Sequence, residues 1–235
     1  MPADTSEQFD RTPHTRPLQL ELLELGDTAA AWEAAGFRVS NGNTVQLGGT
    51  TIACTGTGEA FLGWRIEGLG GEDPHGPKRE IDGINLLAPS DSTSPVFAQE
   101  AQPHPNGITR IDHIVVSTGN CDRSIAAFEA ADFVVRGERC TSSYGSPMRQ
   151  VFFFAGDVIV ELMGPDRGQE VSDAPASIFG LALVAEDLSF TAEALGDLLG
   201  TPKDAVQAGR QIAGLRTKSV GIGLAVAVMS PHQRG

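Results

Sequence analysis

The 235-residue chain predicts an α+β fold of three successive βαβββ units, the last two joined into one domain. Three observations carry this expectation. Short segments recur in the same order. WEAAGFRV (32–39) matches FEAADFVV (128–135) at five of eight positions, VIVELMGP (158–165) matches LAVAVMSP (224–231), and RQV (149–151) matches RQI (210–212). Each copy also follows one order of elements: an apolar strand, a short helix, then about three strands. Finally, the 28 glycines suit a chain of many short strands and turns.

The opening strands are LQLELLEL (18–25), ITRIDHIVV (108–116) and IFGLALVA (178–185), rich in branched and apolar residues. The helices follow at TAAAWEAAG (28–36), CDRSIAAFEAA (121–131) and SFTAEALGDLLG (189–200). Asp27, Asn120 or Asp122, and Ser189 are the expected N-caps, because a short side-chain oxygen there accepts from a free helix N–H. Gly36 and Gly200 are the expected C-terminal stops. Three strands then close the middle unit, with turns at Ser142–Gly145 and Gly156–Asp157. These elements divide the chain into a tail (1–17), a first unit (18–88), a Pro/Ser-rich linker (89–107) and a paired domain (108–231). A lone unit leaves an apolar sheet face uncovered, so the first one is expected to pair with its twin in a homodimer or to pack on the main domain.

Composition excludes several roles. A net charge of −13 argues against nucleic acid and anionic membranes as partners. No apolar run approaches the roughly 18 residues of a membrane span. The polar start MPADTSEQFDRTPHTRP lacks a secretory core, and a cytoplasmic location is the expectation. Cys54, Cys121 and Cys140 form no C-x-x-C pair, so neither a disulfide framework nor a zinc motif is indicated. No dinucleotide fingerprint, nucleophile elbow or H-E-x-x-H occurs.

DHIVV at the start of the middle unit and MRQVFFFAGDVIVELMGP at its end resemble the vicinal oxygen chelate superfamily, the glyoxalase/bleomycin-resistance/dioxygenase fold. FGLALVAEDL, GRQIAGLRT and LAVAVMSP look like the partner unit, and the likeness covers 108–231. The resemblance implies a cup-shaped domain, with two curved four-stranded sheets side by side, helices outside and a ligand or metal inside. The family includes isomerases, lyases, dioxygenases and non-catalytic drug-binding proteins, so the fold leaves function open.

In metal-using relatives one ligand often sits on a unit's first strand and another on its last. His113 and Glu161 match those positions. By strand alternation His113 shares a face with Ile111 and Val115, and Glu161 with Ile159 and Met163. In the third unit the matching residues are Gly180 and Ala227, which coordinate nothing; in the first, Glu67 stands where Glu161 does. A divalent metal is therefore a possible cofactor held by an incomplete site, and a metal-free site is equally consistent. Gln150, Gln211 and His232 are the candidates for completing the shell. The two glutamines are expected inside the cup, with Arg149 and Arg210 outside; arginines facing in would favour a carboxylate substrate. Phe152 is expected to line the cavity, and Gly180, Ala182, Ala225 and Ala227 to widen it.

The resulting expectation is a glyoxalase-like protein that binds a small carbonyl-type compound, or performs metal-weak chemistry on it, with His113 and Glu161 as the catalytic centre. The alternatives are a metal-dependent lyase, isomerase or dioxygenase of the same superfamily, and a non-catalytic scaffold or dimerisation protein.

Overall fold

The computed structural model describes residues 17–40, 42–69, 72–73, 76–77, 79–89, 103–142, 146–169 and 171–232. The expected tail up to residue 16, most of the expected linker and the centre of the 142–145 turn lie outside the described residues.

Three units follow one another. The first contains β1 (Gln19–Leu25), α1 (Ala29–Ala34), β2 (Thr44–Leu47), β3 (Thr50–Cys54) and β4 (Gly63–Glu67). The second contains β5 (Ile108–Ser117), α2 (Cys121–Glu129), β6 (Gly137–Thr141), β7 (Met148–Ala155) and β8 (Val158–Pro165). The third contains β9 (Ser177–Ala185), α3 (Leu188–Leu195), β10 (Lys203–Asp204), β11 (Gln211–Leu215) and β12 (Ala225–Met229).

The repeated WEAAGF/FEAADF motif is a helix-ending device. Phe37 N–H donates to Trp32 O and Gly36 N–H to Glu33 O; Phe133 and Asp132 repeat the pattern onto Phe128 O and Glu129 O. This is the Schellman arrangement, which needs a left-handed residue just past the helix. Gly36 (φ 76°) and Asp132 (φ 63°) occupy that place. The aromatic rings flanking each stop pack edge to face, Trp32 on Phe37 and Phe128 on Phe133.

The N-caps differ in part from expectation. Asn120 caps α2, but Thr28 caps α1 and Asp187 caps α3. Asp27 is buried instead, accepting from Trp32 Nε1 at 3.0 Å and Gly223 N–H at 2.8 Å. The third helix stops at Gly196 rather than Gly200.

Units two and three form one eight-stranded sheet, ordered β6-β7-β8-β5-β9-β12-β11-β10. Within each unit the opening and closing strands are parallel, β5 with β8 and β9 with β12. The halves join through the antiparallel pair β5·β9, where Ile114 faces Leu181 at the centre of an approximate twofold. The fold is α+β, with the expected pairing of the last two units.

The first unit departs from the pattern. Its sheet runs β2-β3-β1-β4, and β3, not β4, is parallel to β1. β3 thus holds the closing-strand position, while β4 lies antiparallel on the far side of β1, as β9 lies beside β5. Glu67, on β4, is therefore not the counterpart of Glu161.

Alternation gives the large sheet two unlike faces. One carries Ile114, Val116, Val151, Phe153, Val160, Leu162, Leu181, Leu183, Val226 and Val228, all buried in a single apolar cluster. Phe128 of α2 stacks on Phe153 there, with ring centroids 5.1 Å apart, and Trp64 of β4 meets Phe128 edge-on. The first unit thus packs over the helix-bearing side, and its buried Leu23, Leu25, Ile52 and Trp64 belong to the same cluster. The physical motive for pairing with a twin, an uncovered apolar face, is met within the chain.

Residues 103–107, expected as linker, form a strap whose His104 and Asn106 are buried. Asn106 Nδ2 donates to Ala35 O at 2.9 Å, and His104 Nε2 to Gln46 O at 2.8 Å.

Candidate functional site

The other face of the large sheet holds the candidate site. Cross-strand register places Gln150 and Phe152 of β7, Ile159, Glu161 and Met163 of β8, His113 and Val115 of β5, Gly180 and Ala182 of β9, and Ala225 and Ala227 of β12 on this face. It stays partly open: the His113 and Glu161 side chains keep 15% and 12% of their surface exposed.

A connected row of polar groups crosses it. From one edge, Arg139 Nε donates to Gln150 Oε1 at 2.5 Å, and Gln150 Nε2 donates to Glu161 Oε1. Glu161 Oε2 stands 3.6 Å from His113 Nε2, and His113 Nδ1 is 2.9 Å from Asp112 Oδ2. Asp112 then takes a two-pronged contact from Arg210, Nη2 to Oδ1 at 2.8 Å and Nη1 to Oδ2 at 3.3 Å.

Asp112 and His113 are neighbours in sequence, and strict alternation would put them on opposite faces. A β-bulge prevents this. His113 pairs with Ala182 and Ile111 with Leu183, which leaves Asp112 without a partner across the strands. The extra residue re-aims the strand so that Asp112 and His113 both serve the open face. For the same reason Ile111 lies on the core side, a correction to the face-sharing that alternation predicts.

Burial alone would raise the Asp112 pKa, but hydrogen bonds from His113 and Arg210 outweigh it and hold the carboxyl well below the usual range. An ionised carboxylate can only accept, so Nδ1 of His113 donates to Asp112, and Nε2 is the ring nitrogen turned towards Glu161. At 3.6 Å the gap to Glu161 is longer than a hydrogen bond, and the two groups stand side by side on the open face. Arg210 is almost wholly buried and is tied further to Ser230 O at 2.9 Å and Gln207 Oε1 at 2.5 Å.

His113, Glu161, Gln150, Phe152, Gly180, Ala182 and Ala227 thus share the face as expected from sequence. Gln211 does not. Ile212 pairs with Met229 as Gln150 pairs with Met163, so the structural partner of Gln150 is Ile212. The RQV/RQI match is one residue out of register, and a slip of one reverses every side chain. Gln211 is exposed on the opposite face, and Arg210 takes the inward position. Arg149 points away from the cup, as expected, to Asp122 and Glu138.

Sequence reasoning missed Asp112, Arg210 and Arg139. The DH dipeptide and the repeated arginine were visible, but neither the bulge nor the slip can be read from letters.

The donor set does not fit a closed metal site. Among the described residues only His113 Nε2 and Glu161 converge, and Glu161 Oε1 is already bonded to Gln150. Gly180 and Ala227 hold the matching places in the third unit, and His232 Nε2 is taken up by Arg210 at 3.1 Å. Among the described residues no group of three or more His, Cys, Asp or Glu side chains could hold a metal ion. No described helix is long and apolar enough to cross a membrane.

No protein-family model and no curated protein sequence matches the chain. Solved structures do. A triple mutant of 4-hydroxymandelate synthase from Streptomyces coelicolor aligns with a TM-score of 0.61 at 14% identity, covering 94% of this chain and 94% of its own. A xylose isomerase-like TIM barrel/4-hydroxyphenylpyruvate dioxygenase fusion protein aligns with a TM-score of 0.61 at 12% identity over 100% of this chain, which spans 52% of that protein. Methylmalonyl-CoA epimerase from Mycobacterium tuberculosis matches 54% of this chain and 91% of its own at 18% identity, with a TM-score of 0.43. With paired βαβββ units in one curved sheet and full-length structural neighbours of this kind, the chain has the fold of the vicinal oxygen chelate superfamily.

Proposed function

We propose that the open face binds a small carbonyl-type compound and that His113 and Glu161 move a proton next to its carbonyl group, without a metal ion. The supporting observation is the Arg210–Asp112–His113–Glu161 row, which holds the imidazole with Nε2 turned towards a carboxylate on the open face. In the step proposed, the C–H bond adjacent to the carbonyl breaks and its proton passes to His113 Nε2. The bonding electrons move into the carbonyl as an enolate, and the proton returns to carbon to complete an isomerisation. The imidazolium formed meanwhile lies between Asp112 and Glu161, both positioned to stabilise it. Gln150 keeps Glu161 oriented, Phe152 offers an apolar wall, and Gly180, Ala182 and Ala227 leave space on the facing half.

The test is exchange of the α-protons of butanone and dihydroxyacetone in D2O, followed by NMR. Catalysed exchange is expected, with losses of about 10²–10⁴-fold in His113→Ala and Glu161→Gln and no loss after dialysis against a chelator. Exchange at the buffer rate sinks the enzymatic reading. Binding without turnover is the second reading, favoured by the absence of donors at Gly180 and Ala227. It predicts thermal stabilisation by the same compounds with no exchange.

A further inference from the structure

We propose that Arg139 receives an anionic group of the ligand, so that the compound taken by the cup is a keto acid whose carboxylate lies several bonds from its carbonyl. This inference rests on the reading of the open face given above. Arg139 lies on β6 directly across from Gln150, on the face that carries Phe152 and Glu161. Two contacts fix its guanidinium: Nε donates to Gln150 Oε1, and the group lies 5.4 Å from the centre of the Phe152 ring. A flat group held by one edge and one face presents its remaining Nη edge outward, in the fork geometry that suits a carboxylate.

The ion pairs around it sharpen the case. Arg110, Arg123, Arg149, Arg167 and Arg210 each have a carboxylate within ion-pair distance. Arg139 has none among the described residues; Arg38, Arg65, Arg79, Arg136 and Arg216 share that lack, but Arg139 combines it with a place across from Gln150 on the face of Glu161. It is also the cation linked to Glu161, through Gln150 alone. A neutral ligand has no use for an unpaired cation at the rim of the site. An anionic ligand does, because Glu161 and Asp112 on this face would otherwise repel it. The spacing sets the class further. β6 and β8 are two strands apart, roughly 10 Å at the usual strand spacing, and the Gln150 amide lies between the Arg139 and Glu161 side chains, so an anion at Arg139 and a carbonyl carbon beside His113 and Glu161 belong to a chain, not to a 2-oxo acid.

The experiment titrates the full chain with 5-oxohexanoate and, separately, with its neutral amide 5-oxohexanamide, following His113 side-chain resonances by NMR. The acid is expected to bind at least about tenfold more tightly than the amide. Arg139→Gln should abolish that preference with its amide spectrum still native, and Arg139→Lys should keep part of it. Equal binding of acid and amide to the wild type, or a preference that survives in Arg139→Gln, overturns the inference while leaving the site reading intact. If neither compound moves His113 and no α-proton exchange occurs, the reading of the open face falls and the inference with it.

Discussion

Units two and three share connectivity, strand order and a common sheet, yet they contribute differently to its open face. Unit two supplies a histidine on its opening strand and a glutamate on its closing strand; unit three has Gly180 and Ala227 at the positions that strand pairing makes equivalent. Unit three supplies Arg210 instead. That residue reaches across the twofold to Asp112, and through it orients the imidazole of the other unit. The lesson is that a duplicated scaffold keeps its backbone hydrogen bonding while its halves divide the chemistry, one carrying the groups that face the ligand and the other holding them in place.

The sharpest way to break this comparison is to treat the two repeated arginines alike. Arg210→Met takes the two-pronged contact from buried Asp112 and leaves it only the half-exposed Arg110 at 3.9 Å and the His113 contact, and about 3–5 kcal/mol of stability should be lost in urea denaturation. Arg149→Met removes a guanidinium whose partners Asp122 and Glu138 are 81% and 27% exposed, so both carboxylates can be rehydrated, and a loss of about 1 kcal/mol is expected. Equal losses would mean that the position of the pair across the units has no special weight.

A second variant asks whether unit three could regain a side chain at the histidine position. A Cβ on Gly180 would stand 2.4 Å from Ala225 O, a backbone atom that cannot simply turn aside. Gly180→Ala is therefore expected to cost about 1–3 kcal/mol, measured by chemical unfolding. A neutral result would show that the close approach of β9 and β12 is soft, and that the asymmetry between the halves is a matter of sequence alone.

The first unit provides a third contrast, through pH. His104 Nδ1 accepts from Arg38 N–H at 3.0 Å while Nε2 donates to Gln46 O, a pattern only the neutral ring satisfies. Burial is the main cause that lowers its pKa from 6.5. A histidine with a lowered folded pKa binds protons more readily in the unfolded chain. Its contribution is thus complete above pH 6.5 and is lost as pH falls below that value towards the folded pKa. His104→Gln should flatten the stability profile just below pH 6.5, and an unchanged slope would remove the strap from the account.

The smallest effect expected is at the helix stops. Asp132 occupies the left-handed position that Gly36 fills in unit one. Asp132→Gly should add up to about 1 kcal/mol, with part of the relieved strain offset by extra freedom in the unfolded chain. A loss on thermal denaturation would mean that the Asp132 side chain makes a stabilising contact of its own.

Much of the architecture was legible because it is local. Apolar strands, turn residues and the twice-repeated helix stop are written in neighbouring letters, and Gly36 and Asp132 mark the stop in both copies. Aligning VELMGP with VAVMSP placed Glu161 opposite Ala227 correctly, since an unbroken strand keeps its period of two. The site was legible only by half. His113 and Glu161 were found as polar residues in apolar strands, where a buried carboxylate demands a partner. Gln211 was misplaced because the RQ motif repeats in sequence one residue away from where it repeats in space. Glu67 was misassigned because strand order within a sheet is not carried by strand order along the chain.

The sequence by itself therefore determined the elements, their repetition and the α+β class, which follow from local periodicity, while the family resemblance pointed to His113 and Glu161. Tertiary structure decided the rest: which side of the large sheet the first unit covers, that a bulge turns Asp112 and His113 to one face, and that Arg210 rather than Gln211 enters the site. The physical reason is register. A shift of one residue between paired strands costs no change in composition or periodicity, yet it exchanges every inward side chain for an outward one, and only the packed strands fix which shift is made.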